Sequence, residues 1–418
     1  MKSKSSSTNF WSHVITVMTG SVAAQALPLL VAPLITRLCV PEDLGVFSIW
    51  LGVIQIAAVV ATLRLETAMI LDHDSDEQQT CFSVIAYSAT IVAMTITLCA
   101  FGARTLGFPE ALKMPWFGLM TLGVGMWMTA YTQTIIAFAT SYHAFGKAAR
   151  AKVWGAGTIA LTQVGLLYAG IGGIALMAGH IIGLVIGLVA SVLLMAPPGP
   201  NFSIKPSRPQ LNYLKKHEAF WRFALPADLL NVIAGKLPLF LIGINHGLLA
   251  AGLFALTQRV MAAPISLLAA SVLEVFKRQS VEDFQTLGNC QDTYIHTFKM
   301  LFMLGAGPTL LMFIFSEDLF ALVFGESWRP AGAYARILAP LYFISFIASP
   351  LSYVFYVVGK QKVELAWQIA LFLMTITVFL LPLTVEESLK LYAVGYSLLY
   401  VIYLFLSYRF SQCNLGPV

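Results

Sequence analysis

Long uncharged apolar runs alternate with short polar stretches along the whole chain. Residues 5–36, 78–103 and 114–142 carry no charge, and each exceeds the ~20 residues that a helix needs to cross the hydrocarbon core of a bilayer. Cutting the chain at charges, prolines and glycines predicts helical spans at 10–36, 44–63, 80–103, 115–140, 153–170, 173–196, 223–245, 249–273, 297–316, 333–358, 365–383 and 389–408. The fifth and sixth share one uncharged run that is too long for a single helix. It is split at Ala169-Gly170-Ile171-Gly172-Gly173, because a glycine cluster breaks a helix. The pattern therefore predicts an all-α integral membrane protein of about 12 transmembrane helices.

The two halves of the pattern are alike. Leu34-Ile35 and Gly45-Val46-Phe47 recur 207 residues later as Leu241-Ile242 and Gly252-Leu253-Phe254. Gly146-Lys147 and Trp154 recur 213 residues later as Gly359-Lys360 and Trp367. An even number of spans in each half gives the repeats one orientation, so they should form two six-helix lobes related by a pseudo-two-fold along the membrane normal, with a central cavity. The expected organisation is an N-lobe over 1–196, a basic amphipathic linker over 197–222 lying at the inner interface, and a C-lobe over 223–418.

Composition agrees: 11 % of residues are charged and 58 % hydrophobic, far from a soluble domain. The net charge of +5 records orientation, not nucleic-acid binding. With the N-terminus inside, most of the 25 lysines and arginines fall on the cytoplasmic side, which places both termini in the cytoplasm. The first span is too long for a signal-peptide core and lacks a convincing cleavage site, so it reads as retained. The five cysteines are scattered and imply neither a disulfide framework nor a metal cluster.

Charge inside the spans is the next signal. Lys236 and Arg259 both fall roughly 14 Å below the outer surface at 1.5 Å per residue, where a cation costs at least ~2.5 kcal/mol. They are candidates for binding an anion; the alternative is that they snorkel to the headgroups or pair with an acid such as Asp228. Arg37 and Arg64 flank spans and are candidates for the same headgroup or for interface anchoring. Asp228, Glu66 and Glu274 are the acids within or bordering spans that could couple transport to H+ or Na+. Gln25, Gln133 and Gln163 could bind sugar hydroxyls or bond between helices, and His180 stands alone in an apolar helix. Asp72-His73-Asp74-Ser75-Asp76-Glu77 lacks the glycine and terminal glutamate of a calcium loop, and is expected to be a solvated acidic loop. No metal or cofactor is expected, and loops this short leave no room for a catalytic constellation.

The turn Leu38-Cys39-Val40-Pro41-Glu42-Asp43-Leu44-Gly45-Val46-Phe47-Ser48 followed by Arg64-Leu65-Glu66 resembles the bacterial polysaccharide-unit flippases, the O-antigen (Wzx-type) family. Phe324-Gly325-Glu326-Ser327-Trp328, Ala331-Gly332 and Leu338-Ala339-Pro340 resemble that family's entry into the tenth span. The motifs are shared with the wider multidrug, oligosaccharidyl-lipid and polysaccharide exporter superfamily. The resemblance implies a lipid-linked oligosaccharide flippase that moves undecaprenyl-pyrophosphate-linked units from the inner to the outer leaflet of the bacterial inner membrane by alternating access, in lipopolysaccharide biosynthesis. Its implied partners are the lipid-linked oligosaccharide, membrane lipids and the polymerase and chain-length machinery, with the protein itself a monomer. A cation-coupled drug or metabolite antiporter of the same superfamily is the alternative, and a membrane ligase or polymerase a third.

Overall fold

Twelve apolar helices separated by short turns make up nearly all of the residues described by the computed structural model, which are 26–72, 74–109, 113–142, 144–200 and 207–412. Nine of the helices among the described residues are long and apolar enough to cross a membrane. Two more have the length, and a shorter apolar one opens the series. In order they are α1 (Ala26–Leu38), α2 (Pro41–Thr62), α3 (Ser75–Thr105), α4 (Trp116–Ser141), α5 (Phe145–Tyr168) and α6 (Ile174–Met195), then the linker helix α7 (Arg208–Lys216). They continue as α8 (Leu225–His246), α9 (Leu248–Pro264), α10 (Ala270–Leu287), α11 (Gln291–Phe324), α12 (Arg329–Leu351), α13 (Gln361–Leu380) and α14 (Val385–Ser411), with α9 and α10 counted as one continuous helix. The described chain has no strand.

Local chemistry sets the ends. Pro41 opens α2 with Glu42 and Asp43 in its first turn, where a missing N–H costs nothing and acids meet the positive end of the helix dipole. Thr384 and Glu387 form a capping box on α14. The predicted break between the fifth and sixth spans is present: α5 stops at Tyr168, and Gly170 and Gly172 adopt left-handed φ of 77° and 74° before α6 begins. Several helices outrun their predicted spans. α9 continues through a π-helical turn at Ile265–Ala269 into α10, and α11 is 34 residues long, about 50 Å against ~30 Å of hydrocarbon. A charge ends a helix's contact with lipid without ending its hydrogen bonding, so cutting at charges shortens the prediction.

The chain divides into two compact units, Met1–Lys236 and Leu237–Val418, with the division inside α8. In the first unit the helices meet along a glycine seam. Gly179, Gly183 and Gly187 of α6 lie one helical turn apart and face Gln163, Ile159 and Gly155 of α5. A Cβ on Gly183 would sit 2.7 Å from the Ile159 backbone nitrogen, so only glycine permits this approach. Without a hydrophobic driving force between helices in lipid, such close packing and interhelical hydrogen bonds hold the bundle. Thr162 donates to the Gly179 carbonyl at 2.8 Å, and Trp50 donates Nε1–H to the Gly118 carbonyl at 2.9 Å. The outer faces are apolar, with Leu161 and Leu193 each 77 % exposed, as lipid contact requires.

The second unit has its own seam. Thr257 of α9 donates to the Ala331 carbonyl and Ser316 of α11 to the Gly332 carbonyl, both at 2.8 Å. A Cβ on Gly332 would lie 2.5 Å from Glu317 Cα. The Phe324–Trp328 motif is thus a joint: Gly325 takes φ of 108°, Trp328 is fully buried, and Arg329 clasps Glu326 and Asp318.

Replacing Gly183 by Val is expected to force α5 and α6 apart and destabilise the protein by about 1–3 kcal/mol, read as a lower melting temperature in detergent; an unchanged melting temperature would show that the seam does not support the unit.

Candidate substrate site

Three of the sequence candidates converge where α2 ends. Leu63 and Arg64 both adopt left-handed φ, 53° and 58°, a conformation that costs roughly 1–2 kcal/mol for a residue with a Cβ. The kink turns Arg64 toward two acids. Its Nη1 lies 3.2 Å from Glu66 Oε1, and its Nε contacts Asp228 Oδ2 in the first turn of α8. Thr67 donates to the Arg64 carbonyl at 2.6 Å and fixes the turn. Glu66 is 8 % exposed, and its second carboxylate oxygen is buried with no hydrogen-bond partner among the described residues. One cation therefore serves two carboxylates and leaves one acceptor open. Such a cluster can take up a proton or a small cation.

Asp228 faces Arg64, so it does not neutralise Lys236. Lys236 on α8 and Arg259 on α9 are both partly buried, and neither has an ion-pair or hydrogen-bond partner among the described residues. Each is a cation set within an apolar helix with no counter-charge among the described residues.

The remaining candidates divide. Arg37 is exposed at the end of α1 and Gln133 exposed on α4. Gln163 is buried in the seam, donating Nε2–H to the Leu176 carbonyl at 2.8 Å, and so joins two helices. Glu274 is exposed on α10 and pairs with Lys277 at 2.8 Å. His180 packs edge-on against Trp50 and Phe47 at 5.6 and 5.7 Å. Gln25 lies outside the described residues.

Two groupings escaped the sequence reading. The acidic segment after α2 is not wholly solvated as expected, because Asp72 is 4 % exposed. Tyr213 of the linker helix donates its hydroxyl to Asp72 Oδ2 at 2.6 Å, with His217 Nε2 at 3.3 Å and Lys216 Nζ at 3.6 Å from Oδ1. Lys216 also grips Glu77 at 2.6 Å. Burial first, then the neighbouring Cys81 and Asp72, push the Tyr213 hydroxyl far above the ordinary phenol range, so it stays a donor. The linker is thereby latched to the start of α3 by a charge whose partner lies 141 residues away.

The second grouping lies on α14, where Tyr392, Tyr396, Tyr400 and Tyr403 line one face. Tyr396 and Tyr400 stack within 9° at 4.9 Å, and Trp367 of α13 lies 5.0 Å from Tyr400 and 4.6 Å from Tyr403. Tyr400 accepts from Ser345 at 3.0 Å, and Tyr403 donates to the Glu364 carboxylate, which also accepts from Gln368 at 3.0 Å. The spacing of these tyrosines, at four, four and three residues, was the available signal. The result is a line of rings and hydroxyls along the second unit.

Residues 34–333 match the family model described as "Polysaccharide biosynthesis protein". No curated protein matches the sequence at a significant level. Among solved structures, the chain is similar to a multidrug resistance MATE family transporter of the MOP superfamily in its inward-facing conformation, with 17 % identity, 93 % of this chain and 94 % of that one covered, and a TM-score of 0.69. It is also similar to a MOP superfamily transporter from Pyrococcus furiosus, described as having a binding pocket of reverse polarity that suggests a different function. That likeness has 15 % identity, 95 % and 94 % coverage and a TM-score of 0.61. At these identities the likeness is one of fold.

Two outcomes follow from the ion clusters. A double-mutant cycle on Arg64→Ala and Asp228→Ala should give a coupling of about 1 kcal/mol, because both side chains are about a third exposed and solvent screens the pair; additive effects would show the contact to be energetically empty. Tyr213→Phe should lower stability by about 1.5 kcal/mol, the low end for a hydrogen bond to a charged group, measured by chemical denaturation. A smaller change would mean that Lys216 and His217 alone hold Asp72.

Proposed function

We propose that this chain, which belongs to the polysaccharide biosynthesis protein family, carries lipid-linked oligosaccharide units of the O-antigen type across the bacterial inner membrane. It is a multi-pass membrane transporter with the fold of the MOP superfamily, not an enzyme. The observation that carries the flippase reading is the sign of the unpaired charge in the membrane helices. Glu66 and Asp228 are served by Arg64, whereas Lys236 and Arg259 have no acidic partner among the described residues. An undecaprenyl pyrophosphate is an anion too costly to pass through lipid unaided. Cations at mid-depth lower that barrier while the polyprenyl tail stays in the bilayer.

In this reading Lys236 and Arg259 each offer the pyrophosphate a cation as it passes, and Arg37 offers another at the end of α1. The tyrosine line of α14 stays within the second unit, since Tyr392, Tyr400 and Tyr403 are at most 8 % exposed, and it holds helices together rather than meeting the cargo. Glu66 and Asp228, held around Arg64, are the acids for coupling to H+ or Na+. The protein works as a monomer with both termini in the cytoplasm and delivers its cargo to a polymerase and chain-length machinery.

The alternative is cation-coupled drug or metabolite antiport. It rests on the multidrug transporter among the structural neighbours, which share only the fold.

Leaflet exchange of a fluorescent polyprenyl-pyrophosphate oligosaccharide in proteoliposomes, scored by quencher access, tests the reading. Lys236→Ala and Arg259→Ala should each slow exchange about tenfold or more, the factor that about 1.5–3 kcal/mol of charge-assisted hydrogen bonding corresponds to. Unchanged exchange in both would remove the site assignment. Absence of exchange by intact wild type, with uptake of a cationic dye, would establish the antiporter.

A further inference from the structure

The inner faces of α4, α5 and α6 leave a cavity of about 360 Å3, lined among others by Thr132, Lys152, Gly155, Ile159, Gly183 and Gly187. Glycine keeps it open: Gly155 and Gly187 cross so closely that a Cβ on Gly187 would be 3.2 Å from Gly155 Cα, and neither projects a side chain into the space beside the crossing. The walls are apolar except at two places.

The first is basic. Lys152 lines the cavity, and Lys147 and Arg150 stand exposed at the same end of α5. None of the three has an ion-pair partner among the described residues, and Arg150 bonds only to the Gly146 carbonyl. The first turn of α5 has no acid and no side-chain cap, so Lys147 meets the positive end of the helix dipole without a counter-charge beside it, and Arg150 and Lys152 follow within the next turn. That arrangement is unfavourable until an anion joins it. Trp154 lies beside them, 62 % exposed, as aromatic residues do at the headgroup level.

The second is Thr132 in α4. Thr121, Thr129, Thr134 and Thr140 of the same helix each donate to the carbonyl four residues earlier, at 2.7 to 3.0 Å. Thr132 does not; its hydroxyl is buried with no hydrogen-bond partner among the described residues. It lies nine residues from the end of α4, about 14 Å along the helix axis at 1.5 Å per residue, farther from that end than the Lys152 ammonium, which extends toward the interface.

We propose that this cavity holds an anionic glycerophospholipid of the surrounding leaflet, with one acyl chain in the apolar space, the phosphate on Lys152 and in the field of Lys147 and Arg150 at the same helix end, and an ester carbonyl accepting from Thr132. The unpartnered hydroxyl of Thr132 selects this lipid class. A glycerophospholipid carries oxygen below its phosphate, whereas a polyprenyl phosphate carries only hydrocarbon there and would leave the hydroxyl unsatisfied. Basic pockets between transmembrane helices are suited to anionic headgroups, and the site is separate from the transport residues assigned above.

Melting of the purified full chain in neutral detergent, with phosphatidylglycerol, phosphatidylcholine, undecaprenyl phosphate or inorganic phosphate added, tests the proposal without a transport assay. Phosphatidylglycerol should raise the melting temperature of the wild type in a concentration-dependent way, and phosphatidylcholine should not. Lys152→Ala should weaken that response about tenfold in lipid concentration, and Lys147→Ala/Arg150→Ala/Lys152→Ala should abolish it. Thr132→Val should also weaken it, with its melting temperature in the absence of lipid unchanged. Equal stabilisation by phosphatidylcholine, or a full response in the triple variant, would overturn the headgroup site. Equal stabilisation by inorganic phosphate would overturn the acyl cavity. Undecaprenyl phosphate protecting Thr132→Val as well as wild type, with no response to phosphatidylglycerol, would assign the cavity to a polyprenyl chain instead.

Discussion

A peptide group in hydrocarbon finds no water, so every backbone N–H and C=O in the membrane has to be satisfied by the chain itself. Everything else in this protein follows from that constraint. It makes the spans helical, and it removes the hydrophobic effect as a reason for one helix to seek another. Close van der Waals approach and hydrogen bonds between helices then have to supply the cohesion. Gly179, Gly183 and Gly187 provide the approach in the first unit, and Thr162 and Gln163 provide the bonds. Gly332, Thr257 and Ser316 do the same in the second.

The same constraint gives each polar side chain a meaning according to its partner. Thr257 and Gln163 face carbonyls and are therefore structural. Arg64 faces two carboxylates and holds a strained turn that would otherwise relax. Lys236 and Arg259 face no acid among the described residues, and an unpaired cation in a low-dielectric interior is costly unless an anion visits it. Function is read from the charges that packing leaves unmatched.

The two halves of the chain have diverged at matching turns. In the first, Gly146-Lys147 leads into a basic helix start with Arg150 and Lys152 beside a cavity. In the second, Gly359-Lys360 leads to Glu364, which accepts from Tyr403 and Gln368, and to Trp367 within the tyrosine line. The same turn thus opens onto three cations in the first half and onto an acid and packed aromatic rings in the second.

The periodicity of apolar runs and the sparsity of charge determined the all-helical membrane class, the order of the spans within the described residues and the break at Gly170 and Gly172, because these depend on local composition and on a bilayer of fixed thickness; most of the predicted first span, 10–36, lies outside the described residues. The chain also marked Lys236, Arg259, Arg64, Glu66 and Asp228, since a charge inside an apolar run is visible in one dimension. Only the tertiary structure decided which charges cancel. Arg64 and Asp228, or Asp72 and Tyr213, are separated by well over a hundred residues and meet through helix packing that no local pattern encodes. For the same reason Gln163 read alike as a sugar ligand or a helix bond, and Asp72 as a solvated acid: the residue type states what a group can do, and its neighbours in space determine what it does.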